Sequence, residues 1–219
     1  MAKFNGEYLA KMEDVLAQYA LPYHPKRPVI CFDERPCFLI EEVVEGMGLR
    51  AGQVRKEHYA YKKNASCQLL AAIEPLKGQR FAKVYHRRTA GEYTGFMQYL
   101  AEQYPEADKI IVIQDNLNTH KTGSFYEHLP AQEARDLAQK FEFHYTPKSA
   151  SWLNMIEIEF SAMAKQCLHQ RIPNKETLIK EVEAIVKERN RKQIKINWQF
   201  NIQTAREKLK NRYEEVNQK

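Results

Sequence analysis

No run of apolar residues in this chain approaches the roughly 18 needed to span a bilayer. The N-terminus lacks the apolar core of a secretory signal, so no targeting segment has to be set aside before the fold is read. Internal repeats and low-complexity tracts are missing too, which excludes a solenoid or a compositionally biased scaffold. The four cysteines, Cys31, Cys37, Cys67 and Cys167, show neither CxxC nor Cys/His ligand spacing. That excludes a zinc module and gives no sign of a disulfide framework. Cys31 and Cys67 sit in apolar strand-like runs and Cys167 on an apolar helix, so all read as buried free thiols in a reducing compartment.

What is present is a chain of 219 residues, 43% hydrophobic and 11% aromatic, with 28% charged residues and a mean hydropathy of −0.65. That suits one large domain, or one domain with appendages, with a sizeable core and a well-charged surface. A net charge of +6 and a pI near 9.0 favour a polyanionic partner, although many soluble proteins are this basic.

The stretch Ile110-Ile111-Val112-Ile113 reads as a strand buried on both sides, ending in Gln114 and Asp115. In open α/β sheets, function gathers at the carboxyl ends of strands, so Asp115 stands at the lip of a rigid sheet. The competing reading makes it a helix cap, a common use of Asp. Val29-Ile30-Cys31-Phe32-Asp33-Glu34 is a second apolar strand ending in acids, and Pro36 breaks its pattern. Residues 41–56 then read as an irregular excursion. Strands follow at 57–62, 66–74 and 80–86, with turns at Lys63-Asn64-Ala65 and Pro75 to Gln79. Thr89 caps a helix running to about Gln103, another helix covers Pro130 to Lys140, and Phe141 to Thr146 alternates as a last strand. Trp152 to His169 and Asn174 to Asn190 are helical, and a basic helix carrying Arg206 to Arg212 closes the chain. Ahead of all this, Phe4, Tyr8, Met12, Val15, Leu16 and Tyr19 mark an amphipathic helix, joined to the first strand by a proline-punctuated connector.

The order gives an α/β fold of the ribonuclease H-like kind, a mixed five-stranded sheet flanked by helices. We divide the chain into a linker helix and connector (1–28), the sheet domain (29–172) and a helical extension (173–219). In that fold the strands of Asp33 and Asp115 are central neighbours, and a third acid comes from the helix after the last strand. Glu157 and Glu159 both qualify, because apolar residues flank each and helix periodicity does not choose. Converging carboxylates repel unless a cation sits among them, and Mg²⁺ or Mn²⁺ prefers such oxygen ligands. Two such ions about 4 Å apart serve in-line phosphoryl displacement. Against this, each acid taken alone fits a surface cap or a solvated carboxylate.

Three blocks, Val29 to Glu34, Gln114-Asp115-Asn116-Leu117-Asn118-Thr119-His120 and Thr146 to Glu157, together resemble the acidic blocks of DDE transposases. The branch is that of bacterial insertion sequences related to mariner elements. Met12 to Leu16, Glu74-Pro75-Leu76, Arg87 to Ala90 and the closing Asn197 to Phe200 extend the resemblance over nearly the whole chain. It implies a triad of Asp33, Asp115 and Glu157, preferring Glu157 because it completes an Asn-x-apolar-Glu block from Asn154. Asp33 would bridge two Mg²⁺ or Mn²⁺ ions, with Asp115 and Glu157 each completing one site. Glu34, Asn116 and His120 would orient water or a phosphate, although His120 also reads as a cap or a satisfied surface histidine. Trp152 reads as a core anchor rather than a base-stacking residue.

The resemblance further implies double-stranded DNA as partner and a cytoplasmic, nucleoid-associated protein of bacteria, with a homodimer as one possible assembly. Lys62, Lys63, Arg87, Arg88 and Lys148 stand where phosphates would lie, and so does the run Lys187 to Lys195, which reads equally well as a solvated helix face. Paired helix-turn-helix modules, usual at the N-terminus of this family, find no room before the first helix. Residues 1–28 match the connector that normally follows them, so the sequence leads us to expect a split frame, a truncated copy or a separate recognition chain. The rival expectation is a decayed remnant that only binds DNA or assists assembly.

Overall fold

The computed structural model describes residues 4–42, 61–117 and 119–218, without the side chains of 42 and 61–64. Its sheet has five strands: β1 (Val29–Glu42), β2 (Tyr61–Glu74), β3 (Gln79–Tyr85), β4 (Ile110–Gln114) and β5 (Phe141–Tyr145). They lie in the order β3-β2-β1-β4-β5, with the first three antiparallel and β4 and β5 parallel to β1. This is the mixed sheet expected from the sequence, with β1 and β4 adjacent at its centre. Around it stand α1 (Gly6–Tyr19), α2 (Ala90–Glu102), α3 (Gly123–His128), α4 (Ala131–Lys140), α5 (Ile156–Gln166), α6 (Lys175–Arg191), α7 (Ile202–Lys208) and α8 (Lys210–Asn217).

Four local expectations change. Pro36 does not end the first strand: β1 continues to Glu42. Proline is tolerated there because β4 pairs only with Val29 to Cys31, so among the described residues no strand asks position 36 for a ladder N–H on that side of β1. Lys63-Asn64-Ala65 is not a turn. Leu39 pairs with Ala65 and Ile40 with Lys63, so Asn64 is the extra residue of a β-bulge in one continuous β2. The helix expected from Trp152 starts only at Ile156, after a short 3₁₀ turn at Ser151–Leu153. The reason is Asn154, extended at φ −84° and ψ 116°, whose amide donates to the Phe32 carbonyl at 2.8 Å rather than joining a helix. The last basic helix is two, α7 and α8. The helix α3 was not anticipated, and residues 43–60, including most of the strand expected at 57–62, lie outside the described residues.

Side-chain alternation along the strands builds two cores, one on each face. Ile30, Phe32, Leu70, Ala72, Ile110 and Val112 turn towards α2, α3 and α4. Cys31, Leu69, Ala71, Ile73 and Ile113 turn the other way, against α1, α5, α6 and Ala205 of α7. All four cysteines are buried and free. On the second face Glu159 of α5 is fully buried between two guanidinium groups, Arg80 of β3 at 2.9 Å and Arg189 of α6 at 2.6 Å. Arg80 also donates to the carbonyls of Gly78 and Ile194, at 2.7 and 2.6 Å. Gly78 itself turns β2 into β3 at φ 73°, and its backbone sits so close to α6's end that a Cβ would meet Gln193 at 2.7 Å. α5 is therefore fixed to the sheet at Asn154 and again at Glu159, and Glu157 lies between these two points.

Removing one member of a buried ion cluster leaves the others uncompensated, at a cost of about 3–5 kcal/mol. Glu159→Ala should lose stability on that scale in urea unfolding, whereas Glu157→Gln, half-buried and facing other acids, should lose none. Equal losses in the two variants would mean that Glu159 does not anchor α5.

Candidate active site

The same alternation that builds the cores distributes the acids. Asp33 shares the parity of Cys31 and so opens onto the face of α5, whereas Glu34 shares the parity of Phe32 and turns to the face of α2. On β4, Gln114 shares the parity of Val112 and is fully buried, accepting from the Tyr93 hydroxyl at 3.0 Å. Asp115, the next residue, falls on the side of Asp33. Glu157 arrives from the first turn of α5.

Asp33 is largely buried, and burial is the main reason its carboxyl is pushed up to about 7, against a bond from the Glu34 N–H at 2.8 Å. The charges of Asp115, Glu34 and Glu157 push in the same direction. Among the described residues no basic side chain offsets this crowding at Asp33. Nor do three His, Cys, Asp or Glu side chains there form a group ready to hold a metal as they stand. The donor set nevertheless fits a hard divalent cation: oxygen ligands only, on one face, with excess negative charge and an open approach. Asp33, Asp115 and Glu157 are the residues that would hold it. An open cleft of about 760 Å³ leads to Asp33 and Asp115. It is walled by Tyr8 and Lys11 of α1 and by the loop Thr146 to Ser151, where Ser149 adopts a strained φ of 61°.

His120 is not the surface residue its polarity suggested. It is fully buried, stacked on Tyr93 at 4.8 Å, with Nδ1 at 2.6 Å from Asp115 Oδ1 and Nε2 at 2.7 Å from Glu34 Oε2. Burial alone would lower its pKa, but the bonds to Asp115 and Glu34 outweigh that and raise it to about 9. At neutral pH the ring therefore carries both protons and donates to both acids. Both oxygens of Glu34 are engaged within the protein, since Oε1 accepts from Arg88 at 2.8 Å and the side chain is almost wholly buried. Asn116 is exposed and lines the cleft, as does Lys148. Arg87 is exposed, with its backbone N–H on Glu92 at 3.2 Å in the cap of α2. The side chains of Lys62 and Lys63 lie outside the described residues.

Glu159 stands apart from the cleft, paired with Arg80 and Arg189, so α5 offers Glu157. Arg189 is thereby withdrawn from the basic run of 187–195. Trp152 is half-exposed and meets Phe200 edge-on at 5.5 Å, so it is not the core anchor expected. Two contributors escaped notice in the sequence, Gln114 and Tyr93. Gln114 donates to the His120 carbonyl at 3.0 Å and so shapes the loop that follows Asp115. A polar residue closing an otherwise apolar strand was the available signal.

The sequence profile of the family described as DDE superfamily endonuclease matches residues 28–179. No curated protein sequence matches. Among solved structures, the Mos1 mariner paired-end complex with Mn superposes with a TM-score of 0.57 at 15% identity, covering 99% of this chain and 63% of that one. The Mos1 paired-end complex with Mg gives 0.54 at 14% identity, covering 88% and 63%. The Mos1 strand transfer complex gives 0.54 at 12%, covering 90% and 64%. At these identities the likeness shows the fold, ribonuclease H-like, and this chain spans under two thirds of the Mos1 chain.

A carboxyl whose pKa is higher folded than unfolded stabilises the native state at low pH and loses that contribution as pH rises. For Asp33 the window runs from its ordinary 3.8 to about 7, which amounts to as much as about 4 kcal/mol. In chelator, Asp33→Asn should match the unsubstituted protein near pH 4 and exceed it at pH 8. The variant should keep the fall that His120 adds between 6.5 and about 9, and that of the buried Glu74, whose carboxyl burial also pushes up. Urea unfolding across that pH range is the measurement, and a variant no more stable at pH 8 would contradict the electrostatics described.

Proposed function

Because this chain belongs to the DDE superfamily endonucleases, we propose that it is the catalytic domain of a DNA transposase of the mariner-related insertion-sequence branch. It hydrolyses phosphodiester bonds at element ends and transfers the freed 3′-hydroxyl to target DNA. The observation that carries this reading is that Asp33, in β1 just past its pairing with β4, and Asp115, just past the end of β4, line one cleft, with the charge of Glu157 from α5 acting on Asp33. The Mos1 complexes with Mn, with Mg and in strand transfer share this fold, which supports the reading by likeness.

A pair of Mg²⁺ or Mn²⁺ ions, when bound, would supply the activation of a nucleophile and the charge neutralisation at phosphate that phosphoryl transfer needs. The protein's own part is positional. Asp33 offers its carboxylate from a rigid β-ladder, Asp115 is turned by His120, and Glu157 is set by the two fixed points of α5. Asn116 and Lys148 line the approach, where Lys148 meets backbone phosphate as a point charge. Double-stranded DNA is the substrate. A homodimeric assembly belongs to the same proposal.

Asp115→Asn should reduce Mg²⁺- or Mn²⁺-dependent nicking of duplex DNA to background while leaving the far-ultraviolet spectrum unchanged; undiminished nicking refutes the assignment. Mn²⁺ at about 100 times its Kd should stabilise the unsubstituted protein by roughly 2.7 kcal/mol. A protein that binds DNA but gains nothing from Mn²⁺ would instead be a remnant serving assembly. Lys148→Ala should weaken duplex binding alike for all sequences and lower the log–log salt slope by about one.

A further inference from the structure

Four side chains form a continuous line from solvent to the cleft. Arg88 is half-exposed, and its Nη1 lies 2.8 Å from Glu34 Oε1. Glu34 has a side chain only 3% exposed, and its other oxygen meets His120 at 2.7 Å. His120, 1% exposed, meets Asp115 Oδ1 at 2.6 Å. The imidazole cannot slide along this line, because its ring stacks on Tyr93, Phe32 meets it edge-on at 5.4 Å, and its backbone carbonyl accepts from Gln114. Asp115 Oδ1 also accepts from the Leu117 N–H at 3.4 Å, whereas Oδ2 has no partner among the described residues.

We propose that Arg88 and Glu34 are positioning residues for Asp115, acting through His120, so that one carboxylate oxygen is held by the protein and the other is left for the metal. The proposal rests on the metal-dependent reading above. It assigns Arg88 to the interior of the site rather than to a DNA phosphate, and Glu34 to the imidazole rather than to water. The physical case is that a residue in direct contact with a cation is only as well placed as the groups behind it, and loss of such support costs about 10–100-fold in metal affinity. Here both acceptors on the supporting line, Glu34 and Asp115, are carboxylates, met by the Arg88 guanidinium and by the two ring nitrogens of His120. Each contact is therefore a charge-assisted hydrogen bond. The parity of β1 makes this possible, since it sends Glu34 away from the cleft to where α2's leading segment presents Arg88.

The test uses the full chain with Glu34→Gln, Arg88→Ala, the double variant and Arg88→Lys. Mn²⁺ binding is measured directly by the loss of the free-ion paramagnetic signal, without DNA. Duplex affinity is measured at several salt concentrations. In metal-free protein, proton NMR follows solvent protection of the His120 ring N–H groups, assigned by their loss in His120→Asn. Arg88→Ala and Glu34→Gln should each weaken Mn²⁺ about tenfold. The double variant should be no weaker than Glu34→Gln alone, because both substitutions cut one line. Arg88→Lys should recover part of the loss, and ring N–H protection should fall in Arg88→Ala. Additive losses overturn the proposal. So does an Arg88→Ala variant that binds Mn²⁺ normally but lowers the salt slope by about one, which is the behaviour of a phosphate contact. If the unsubstituted protein binds Mn²⁺ and nicks DNA while Arg88→Ala and Glu34→Gln match it, only the positioning line is refuted. If the unsubstituted protein does neither, the metal-dependent reading falls and the proposal falls with it.

Discussion

Consecutive residues of a strand face opposite ways, and at Asp33 and Glu34 this separates two adjacent carboxylates by the thickness of the sheet. One lines a cleft with Asp115 and feels the charge of Glu157. The other is enclosed between an imidazole and a guanidinium and is electrostatically settled. Had the register slipped by one residue the two would exchange roles, and the apolar neighbours would exchange faces with them. The packing of Cys31 and Phe32 into separate cores thus specifies the chemistry at 33 and 34 as firmly as it specifies the fold.

The acidic face is costly for the folded protein alone. Asp33 is lifted to about 7 by burial and by its neighbours, so it resists ionisation without a counter-ion. Elsewhere the structure settles its charges. Glu159 has two arginines, and Glu13 of α1 receives a bidentate contact from Arg206 of α7 at 2.7 and 2.8 Å. Around Asp33, by contrast, the charges of Asp115, Glu34 and Glu157 add to one another, with no basic side chain among the described residues to offset them.

Strong local patterns were legible in the sequence. The apolar run at 110–113, the alternation at 141–146, Thr89 as a cap and the inward Leu178, Val182 and Ile185 all sit in the elements expected of them. What the sequence hid were features decided by distant partners. Pro36 is tolerated because of where β4 stops, and Asn64 bulges because β1 imposes its register. The start of α5 is delayed because Asn154 is bound to Phe32, 122 residues away. The acids could be named in advance, but not their company: burial of His120 depends on Tyr93, Phe32 and Glu34 arriving together. Periodicity likewise could not separate Glu157 from Glu159, because the difference lies in Arg80 and Arg189.

The two faces of the sheet are drawn from unequal lengths of chain. The face under α2 and α4 is made from residues 30 to 143, whereas the face bearing Asp33 and Asp115 needs α1 at one extreme and Ala205 at the other. A chain emerging from the ribosome N-terminus first can therefore close one side of its sheet well before the other. The acids sit on the side that is finished late, so a nascent polypeptide carries their carboxylates exposed on an incomplete support until α7 has cleared the exit tunnel.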